Sequence, residues 1–353
     1  MKFDAVKLAR PNIRRLKPYS SARSEFSGAA DVWLDANENA FGSPAGGALN
    51  RYPDPLQSEL RRKIASANVL SASQVFVGNG SDEAIDLLLR IFCQPGHDEV
   101  LVCTPTYGMY SVLAAINDVG CKGVPLTDEF QLNPAAISAA ISERTKLIFL
   151  CSPNNPTGNT LGRDSVTAVV REFHGIVVVD EAYIHFAASP SFVSEISNLP
   201  NLVVLQTLSK AWGLAAARIG LVFANEAVVE LLDRIKPPYN VGGLSQAAAI
   251  EALNHADVIK EWIAECRAER GRLAQTLSEF GCVERVFQSD ANFLLVRFSD
   301  PRPIYRRLLE DGIVVRDRSG LPGCERCLRI TIGTPDENLR LVESISRADI
   351  KNP

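Results

Sequence analysis

The sequence predicts an α/β protein, with a large domain built on a mostly parallel sheet and a smaller α/β domain towards the C-terminal end. Short apolar runs alternate with amphipathic stretches from about residue 75. Prolines and glycines interrupt this alternation at KPPYNVGGLS (residues 236–245), and a long helical stretch and a few short strands follow. Strands that alternate with helices are typical of parallel sheets, since parallel strands need a crossover connection that is usually a helix.

Six apolar runs mark the predicted strands of the large domain. In chain order they are VFV (75–77), EVLVC (99–103), KLIFLC (146–151), GIVVVD (175–180), NLVVLQT (201–207) and RIGLVFA (218–224). The clearest crossover helix is SDEAIDLLLRIFC (81–93), whose apolar residues recur at helical spacing after two acidic residues in the first turn. We therefore expect a strand, a glycine turn and a helix to follow one another between residues 75 and 93.

The same patterns divide the chain into three parts. The first forty or so residues carry no strong periodicity, so we expect residues 1–45 to form an arm that packs on the small domain or on a partner subunit. Residues 46–240 are expected to form the large domain and residues 241–353 the small one.

Composition and charge narrow the class of protein. With 353 residues, 46% of them apolar, the chain can bury one or two substantial cores. A net charge of −4 without long like-charge runs gives no electrostatic case for nucleic acid or an anionic membrane as a partner. The sequence shows neither a signal-peptide core nor an apolar stretch of roughly 18 residues, so we expect a cytoplasmic protein. Cys324 and Cys327 form a lone CxxC, which without a second ligand pair predicts no metal.

Two groups of residues follow predicted strands, where open parallel sheets bind their ligands. The glycines of GNGSDE (78–83) let the backbone approach an anion, and the N–H groups of the next helix point at it. A glycine turn before a helix is nevertheless more often only a turn. Asp180 ends the fourth run, with Glu181 and Tyr183 beside it, although an acid at a strand end is ordinarily a helix cap or a solvated charge.

Lys210 and Arg218 are the only charged residues between Asn201 and Ala224. Cations in so apolar a stretch need anionic partners if they are buried. A phosphate near Gly80 would supply one partner, and an aldehyde would react with a lysine whose pKa is depressed. A carboxylate at Asp180 would keep a pyridine nitrogen protonated, which makes the ring an electron sink. A surface position for Lys210 is the alternative that this reasoning leaves open.

Nine motifs spread over nearly the whole chain resemble one family. They are LKPYSSAR, LDANENAFGSP, RYPDP, GNGSDEAIDLL, PTYGMY, CSPNNPTG, VVVDEAY, TLSKAWGLAAARIG and LRITIGT, in that order. The chain thus resembles the fold type I pyridoxal-phosphate aminotransferases of class II and, within them, the members that act on histidinol phosphate. The resemblance implies pyridoxal 5'-phosphate as the cofactor and Lys210, Asp180 and Tyr183 as catalytic residues.

The resemblance implies a role for each residue that would hold the cofactor. The backbone at Ser81 and Asp82 would bind its phosphate with help from Ser209 and Arg218. Tyr107 would stack on the ring, Asn155 and Tyr183 would hydrogen-bond the ring hydroxyl, Asp180 would pair with the pyridine nitrogen, and Lys210 would be both Schiff-base anchor and proton shuttle. Tyr52 resembles a tyrosine that contacts the cofactor phosphate of the neighbouring subunit in family members, which implies a homodimer. The alternative for Tyr52 is a tyrosine that only forms part of a proline turn.

For the substrates, the resemblance implies two anion sites. Arg329 in LRITIGT stands in the place of the arginine that grips a carboxylate, a role suited to its bidentate fork. Arg316, thirteen positions earlier, and Tyr19 resemble residues that bind a substrate phosphate. Arg316 could equally be a solvated arginine at a strand end.

The implied reaction is reversible amino transfer between L-histidinol phosphate and 2-oxoglutarate, giving imidazole acetol phosphate and glutamate, a step of histidine biosynthesis. Three departures from the family pattern, Ala40, His185 and Trp212, leave room for aromatic substrates. The alternatives are therefore an aromatic amino-acid aminotransferase, a threonine-phosphate decarboxylase and a regulator that only senses the cofactor. The chain has no room for the DNA-binding module that such a regulator normally carries.

Overall fold

A computed structural model describes residues 3–19 and 30–349, and the strands of these residues form two sheets. The strands of the larger sheet are β1 (Val75–Asn79), β2 (Glu99–Thr104), β3 (Gly120–Pro125), β4 (Thr145–Cys151), β5 (Ile176–Asp180), β6 (Leu202–Thr207) and β7 (Ile219–Ala224). They lie in the order β1-β7-β6-β5-β4-β2-β3. Strands β2 to β6 pair in parallel, whereas β7 runs antiparallel to both of its neighbours. The predicted fold class is confirmed.

The smaller sheet is antiparallel and uses the short strands expected near the C-terminal end. It consists of β8 (Val283–Val286), β9 (Phe293–Phe298), β10 (Arg316–Asp317) and β11 (Cys327–Thr331). The order is β10-β11-β9-β8. The strands of the two sheets fall within residues 75–224 and 283–331, and the exact domain limits at residues 45 and 240 remain predictions.

Helices cover both sheets. In the described part of the chain they are α1 (Ala5–Leu8), α2 (Pro11–Arg15), α3 (Ser58–Ala67), α4 (Ser81–Phe92), α5 (Met109–Ile116), α6 (Pro134–Ala140), α7 (Arg163–Glu172), α8 (Glu226–Ile235), α9 (Gly243–Asn254), α10 (Ala256–Ser278), α11 (Pro301–Glu310) and α12 (Pro335–Asp349). None of these helices is both long enough and apolar enough to cross a membrane.

The large sheet is buried on both faces, which explains its continuous apolar strands. Along β5, Val177 and Val179 belong to one core cluster, and Ile176 and Val178 belong to the cluster on the opposite face. Because successive side chains of a strand point to opposite faces, a strand between two layers of helices must be apolar at every position. The polar residues at the ends of these strands therefore stand out as the place for chemistry.

Part of the N-terminal segment packs on the large domain. Ala5, Ala9 and Ile13 are buried in a core cluster of the large sheet, and α1 contacts α8. The backbone N–H of Arg10 also donates to the carbonyl of Ile91 at the end of α4. Residues 5–13 therefore contact the large domain of their own chain, through apolar side chains four positions apart, and the packing of the arm on the small domain or a partner subunit stays a prediction. Residues 20–29 of the predicted arm, including all of SSAR, lie outside the described residues.

Candidate active site

A cavity opens where the carboxyl ends of β4, β5 and β6 meet the start of α4. Nine of the residues predicted to hold the cofactor line it: Ser81, Asp82, Tyr107, Asn155, Asp180, Tyr183, Ser209, Lys210 and Arg218. Strand pairing brings these residues together, since Cys151 at the end of β4 lies directly beside Asp180 at the end of β5. The cavity therefore lies at the edge of the sheet where parallel strands bind ligands.

An anion-binding turn forms one side of the cavity. Gly80 caps α4 with a φ of 77°, so the free N–H groups of the first helical turn, at Ser81 and Asp82, point into the cavity. A Cβ at Gly80 would lie 2.6 Å from Nη2 of Arg218, so a larger residue there would displace the guanidinium from this position. Nη1 of Arg218 lies 3.5 Å from Oγ of Ser209, and Nη2 lies 3.7 Å from a carboxylate oxygen of Asp82. Helix dipole, guanidinium and hydroxyl together fit a phosphate.

Asp180 is the buried acid of the site, with only 3% of its surface exposed. Its Oδ2 accepts a 2.6 Å hydrogen bond from the hydroxyl of Tyr110, and its Oδ1 accepts one of 3.1 Å from the N–H of Ala182. Burial raises the pKa of Asp180, while these two donors lower it. No ion pair of the described residues includes Asp180, so a cation in the cavity would complete its surroundings. A protonated pyridine nitrogen meets that need.

Lys210 follows β6 and reaches the same cavity, from which its side chain is also accessible to solvent. Partial removal from water, and then the nearby guanidiniums of Arg329 and Arg218, lower the pKa of Lys210. Its Nζ lies 5.6 Å from the centre of the Tyr183 ring. A lower pKa increases the neutral fraction of the amine, which is the form that attacks an aldehyde. Lys210 is thus exposed and at the same time part of the cavity wall, and its role as the anchor stays a prediction.

Arg329 connects the small sheet to this cavity. Its Nη1 donates a 2.5 Å hydrogen bond to Oδ1 of Asn155, and its guanidinium lies 5.2 Å from the centre of the Phe293 ring. Phe293 in turn meets the Tyr183 ring edge-on at 5.1 Å. The arginine thus contacts Asn155, one of the residues expected to hold the ring hydroxyl, and brings a guanidinium of the small sheet next to the cavity wall.

Tyr107 covers the cavity beside the anion-binding turn. Its hydroxyl donates a 3.1 Å hydrogen bond to Oδ1 of Asp82, and its ring meets that of Tyr110 edge-on at 5.5 Å. Burial, with the Asp82 carboxylate next, raises the pKa of Tyr107, so the hydroxyl stays protonated at neutral pH. An aromatic ring held from two sides is suited to stack on a planar cofactor.

Three predicted residues do not reach the cavity within one chain. Tyr52 is half-exposed and stacks on Tyr239 with 4.4 Å between the ring centres. Tyr19 is 76% exposed, and neither tyrosine lines the cavity. Arg316 is also exposed, but in the register of β10 and β11 it lies directly opposite Arg329.

The sequence reasoning missed Tyr110, which is fully buried and holds Asp180. A signal was present in PTYGMY, because a tyrosine at a buried position of the apolar helix α5 needs an acceptor for its hydroxyl. Thr207 was also missed; it lines the cavity, and its Oγ1 accepts a hydrogen bond from the N–H of Ser209. Neither is recognisable without knowing which strands are neighbours.

Comparisons with known proteins agree with the class of enzyme that this cavity suggests. The chain belongs to the aminotransferase class I and II family, whose sequence model matches residues 23–345. Enzymes of this family depend on pyridoxal 5'-phosphate, and the donors, the acid and the lysine described above fit that cofactor.

Within the family, the chain is similar to relatives that share one name. The chain is 51% identical to the histidinol-phosphate aminotransferase of Parabacteroides distasonis, over 97% of this chain and 98% of the relative. It is 49% identical to the enzyme of that name from Cytophaga hutchinsonii, over 97% and 99%. Among solved structures, the histidinol-phosphate aminotransferase of Sinorhizobium meliloti in complex with pyridoxal-5'-phosphate is 26% identical, with a TM-score of 0.80 over 90% of each chain.

Proposed function

We propose that this enzyme transfers the amino group of L-histidinol phosphate to 2-oxoglutarate, giving imidazole acetol phosphate and glutamate in histidine biosynthesis. The observation that carries the proposal is the position of Arg316 directly opposite Arg329, at the end of the small sheet whose Arg329 contacts the cofactor cavity. Two guanidiniums side by side suit a pair of substrates of which one ends in a phosphate and the other in a carboxylate. As a step of amino-acid biosynthesis, the reaction is expected in the cytoplasm.

The proposed cofactor contacts follow from the cavity. The N–H groups of Ser81 and Asp82, the hydroxyl of Ser209 and the guanidinium of Arg218 would bind the phosphate. Tyr107 would stack on the ring. Tyr183 and Asn155 would bind the ring hydroxyl, and Asp180 would hold the pyridine nitrogen.

The chemistry divides between the cofactor and the chain. When bound, the cofactor supplies a ring that stabilises negative charge on the carbon next to the substrate nitrogen. Lys210 would anchor the cofactor and, once displaced by the substrate amine, would remove the proton from that carbon and deliver it to the cofactor carbon that carried the aldehyde. Asp180 would stay ionised beside the ring nitrogen, because Tyr110 and the N–H of Ala182 donate to its two oxygens.

The two half-reactions would share one substrate pocket. Arg329 would bind the carboxylate of glutamate or 2-oxoglutarate, and Arg316 would bind the phosphate of histidinol phosphate with help from Tyr19. Tyr19 is exposed and does not line the cavity of its own chain, so its part in binding the phosphate is the least supported step of this proposal.

A homodimer is part of the proposal. The segment around Tyr52 exposes large apolar side chains, namely Val32, Leu34, Phe41, Leu49 and Leu56. Such a row favours burial against a second copy of the chain. In that dimer Tyr52 would reach the partner subunit's cofactor phosphate.

The deciding experiment compares kcat/KM for L-histidinol phosphate and for phenylalanine, each with 2-oxoglutarate, on purified enzyme loaded with cofactor. A preference of about a hundredfold or more for the phosphate substrate, roughly 2.7 kcal/mol of transition-state binding, supports the proposal. Equal kcat/KM values, or a preference for phenylalanine, would contradict the proposal and assign the enzyme to aromatic amino-acid metabolism.

Two controls belong to that experiment. The variant Arg316→Ala should lose activity on L-histidinol phosphate and keep its activity on phenylalanine. Analysis of products separates the decarboxylase alternative, since amino transfer forms glutamate whereas a decarboxylase releases carbon dioxide.

A further inference from the structure

A third arginine, Arg318, lies beside the two expected to bind substrate. The N–H of Arg318 donates a 2.9 Å hydrogen bond to the carbonyl of Cys327, which continues the pairing of Arg316 with Arg329 by two residues. Residues two apart on a strand share a face, and residues paired across an antiparallel ladder share it too. The three arginines therefore project from the same face of the small sheet.

This face carries positive charge without compensating acids. Among the residues that the structure describes, neither Arg316 nor Arg318 takes part in an ion pair or a side-chain hydrogen bond, and Arg329 bonds only the neutral amide of Asn155. Asp317 does not neutralise the cluster, since it lies on the opposite face of the strand and accepts from the N–H of Ser319. Like charges placed next to one another destabilise a sheet unless an anion joins them.

The guanidinium of Arg318 is partly buried, yet its side chain has no hydrogen-bond partner among the described residues. The residue is half-buried, and its Nε is covered by protein with no acceptor within the described part of the chain. Burial, followed by the charges of Arg329 and Arg316, lowers the pKa of Arg318, and the guanidinium lies within electrostatic reach of Tyr183 in the cavity wall. A half-buried guanidinium without an acceptor is unusual, because buried polar groups are ordinarily hydrogen-bonded.

We infer that Arg318 is a specificity-determining residue that binds the phosphate dianion of the substrate together with Arg316, while Arg329 serves the carboxylates. A phosphate ester carries a charge of about −1.5 to −2 at neutral pH and three acceptor oxygens, so it can occupy two guanidinium forks, whereas a carboxylate fills one. The inference rests on the proposed function for the identity of the substrate but not for the phosphate site itself.

The test uses Arg318→Met, Arg318→Lys and the control Arg302→Met, all loaded with cofactor. Arg302 is exposed and pairs only with Asp300, so its loss removes one positive charge from the same end of the chain without touching the site. Two quantities are measured: the inhibition constant of inorganic phosphate against the glutamate half-reaction, and kcat/KM for L-histidinol phosphate.

In Arg318→Met we expect the inhibition constant of phosphate to rise, and kcat/KM for L-histidinol phosphate to fall, by about tenfold or more, as for loss of a charge-assisted hydrogen bond. The KM of glutamate should change less than about threefold. For Arg318→Lys, both phosphate quantities should lie between those of the wild type and those of Arg318→Met. For Arg302→Met, both should match those of the wild type.

The inference is overturned if Arg318→Met leaves both phosphate quantities within about twofold of the wild type, a change too small for a lost charged contact. It is also overturned if the KM of glutamate rises by as large a factor as the inhibition constant of phosphate, or if phosphate does not inhibit the wild type. If the wild type fails to use L-histidinol phosphate while phosphate inhibition still depends on Arg318, the proposed function fails and the phosphate site stands.

Discussion

The hydroxyl of Tyr110 donates a 2.6 Å hydrogen bond to Oδ2 of Asp180, and both residues are buried beneath the cavity. Tyr110 stacks in turn on Phe149 of β4, with 4.9 Å between ring centres, so the donor is held by the core of the large sheet. The acid proposed to act on the cofactor therefore takes its orientation from a residue that never faces the substrate.

Substituting Tyr110 by Phe should lower kcat by about tenfold, since removing one hydrogen bond to a charged group costs roughly 1.5 kcal/mol. The Tyr110 hydroxyl lowers the pKa of Asp180, so its loss raises that pKa and the acidic limb of the kcat profile should move to higher pH. The measurement is kcat against pH for both proteins. An unchanged profile with normal folding would show that Tyr110 only fills space.

Replacing Lys210 by Ala should abolish turnover and the absorbance of the lysine-bound cofactor while leaving the fold intact. The reason is that Lys210 is the amine with a lowered pKa that lines the cavity. Circular dichroism and the visible spectrum provide the measurements. Lys260→Ala, at an exposed position of α10, is the control and should behave as the wild type. Retention of the absorbance in Lys210→Ala would remove this residue as the anchor.

Gly80→Ala should weaken cofactor binding more than it lowers stability. The change strains a backbone with a φ of 77° and a ψ of 163°, a region used almost only by glycine, at a cost of about 1–3 kcal/mol, and pushes a methyl group against the Arg218 guanidinium. Gly312→Ala is a matched control, because its φ is 74° and nothing lies within 4 Å of the added Cβ. Both variants should lose similar stability in thermal unfolding, whereas only Gly80→Ala should raise the Kd of pyridoxal phosphate. Equal cofactor affinities would contradict the role of the turn.

Stability should fall as pH rises from about 4.5 to about 7 because of Glu181. This fully buried carboxyl accepts from the N–H of Phe192, from Ser191 and from Gln206, yet burial raises its pKa to about 7. The folded protein thus binds a proton here more tightly than the unfolded chain. The stabilisation that this bound proton gives the folded state amounts to at most about 3 kcal/mol. It is present in full below about pH 4.5 and is lost as the pH rises to about 7.

The measurement for Glu181 is the free energy of unfolding against pH in the wild type and in Glu181→Gln. The amide cannot ionise, so the variant should have a flatter profile across this window. Parallel profiles for the two proteins would assign the pH dependence to other groups.

Most of the large sheet was predictable from the sequence, and the reasons for the failures are local. All six predicted strands exist, because strands buried on both faces need uninterrupted apolar runs. Strand β3, GCKGVP, was missed since it lies at the edge of the sheet, where only Val124 is buried. The packing of Ala5 and Ala9 was missed because so short a helix carries too little periodicity to indicate its partner.

For the site, the structure brings together the predicted residues that belong to motifs at the ends of the parallel strands, while their roles stay predictions. Asp180 ends β5 and Lys210 follows the end of β6 by three residues, and these neighbouring strand ends meet at the cavity, so position along the chain was sufficient to place both residues there. Tyr110 and Arg318 were missed because their roles depend on contacts across elements, and no single motif contains both partners. Tyr52 and Tyr19 stay predictions, since within one chain neither reaches the cavity.

The antiparallel strand β7 has a consequence for the order of synthesis. Strand β1 ends at Asn79, and among the described strands its one neighbour in the sheet is β7, which begins at Ile219. A ribosome that has just made β1 and the glycine turn must therefore add all the intervening strands before β1 can pair, and Gly220 then packs against the backbone of Gly80. Domains are generally completed as units during translation. A nascent chain that stops short of β7 should thus be unable to retain pyridoxal phosphate, so capture of the cofactor would mark the moment at which the large sheet is finished.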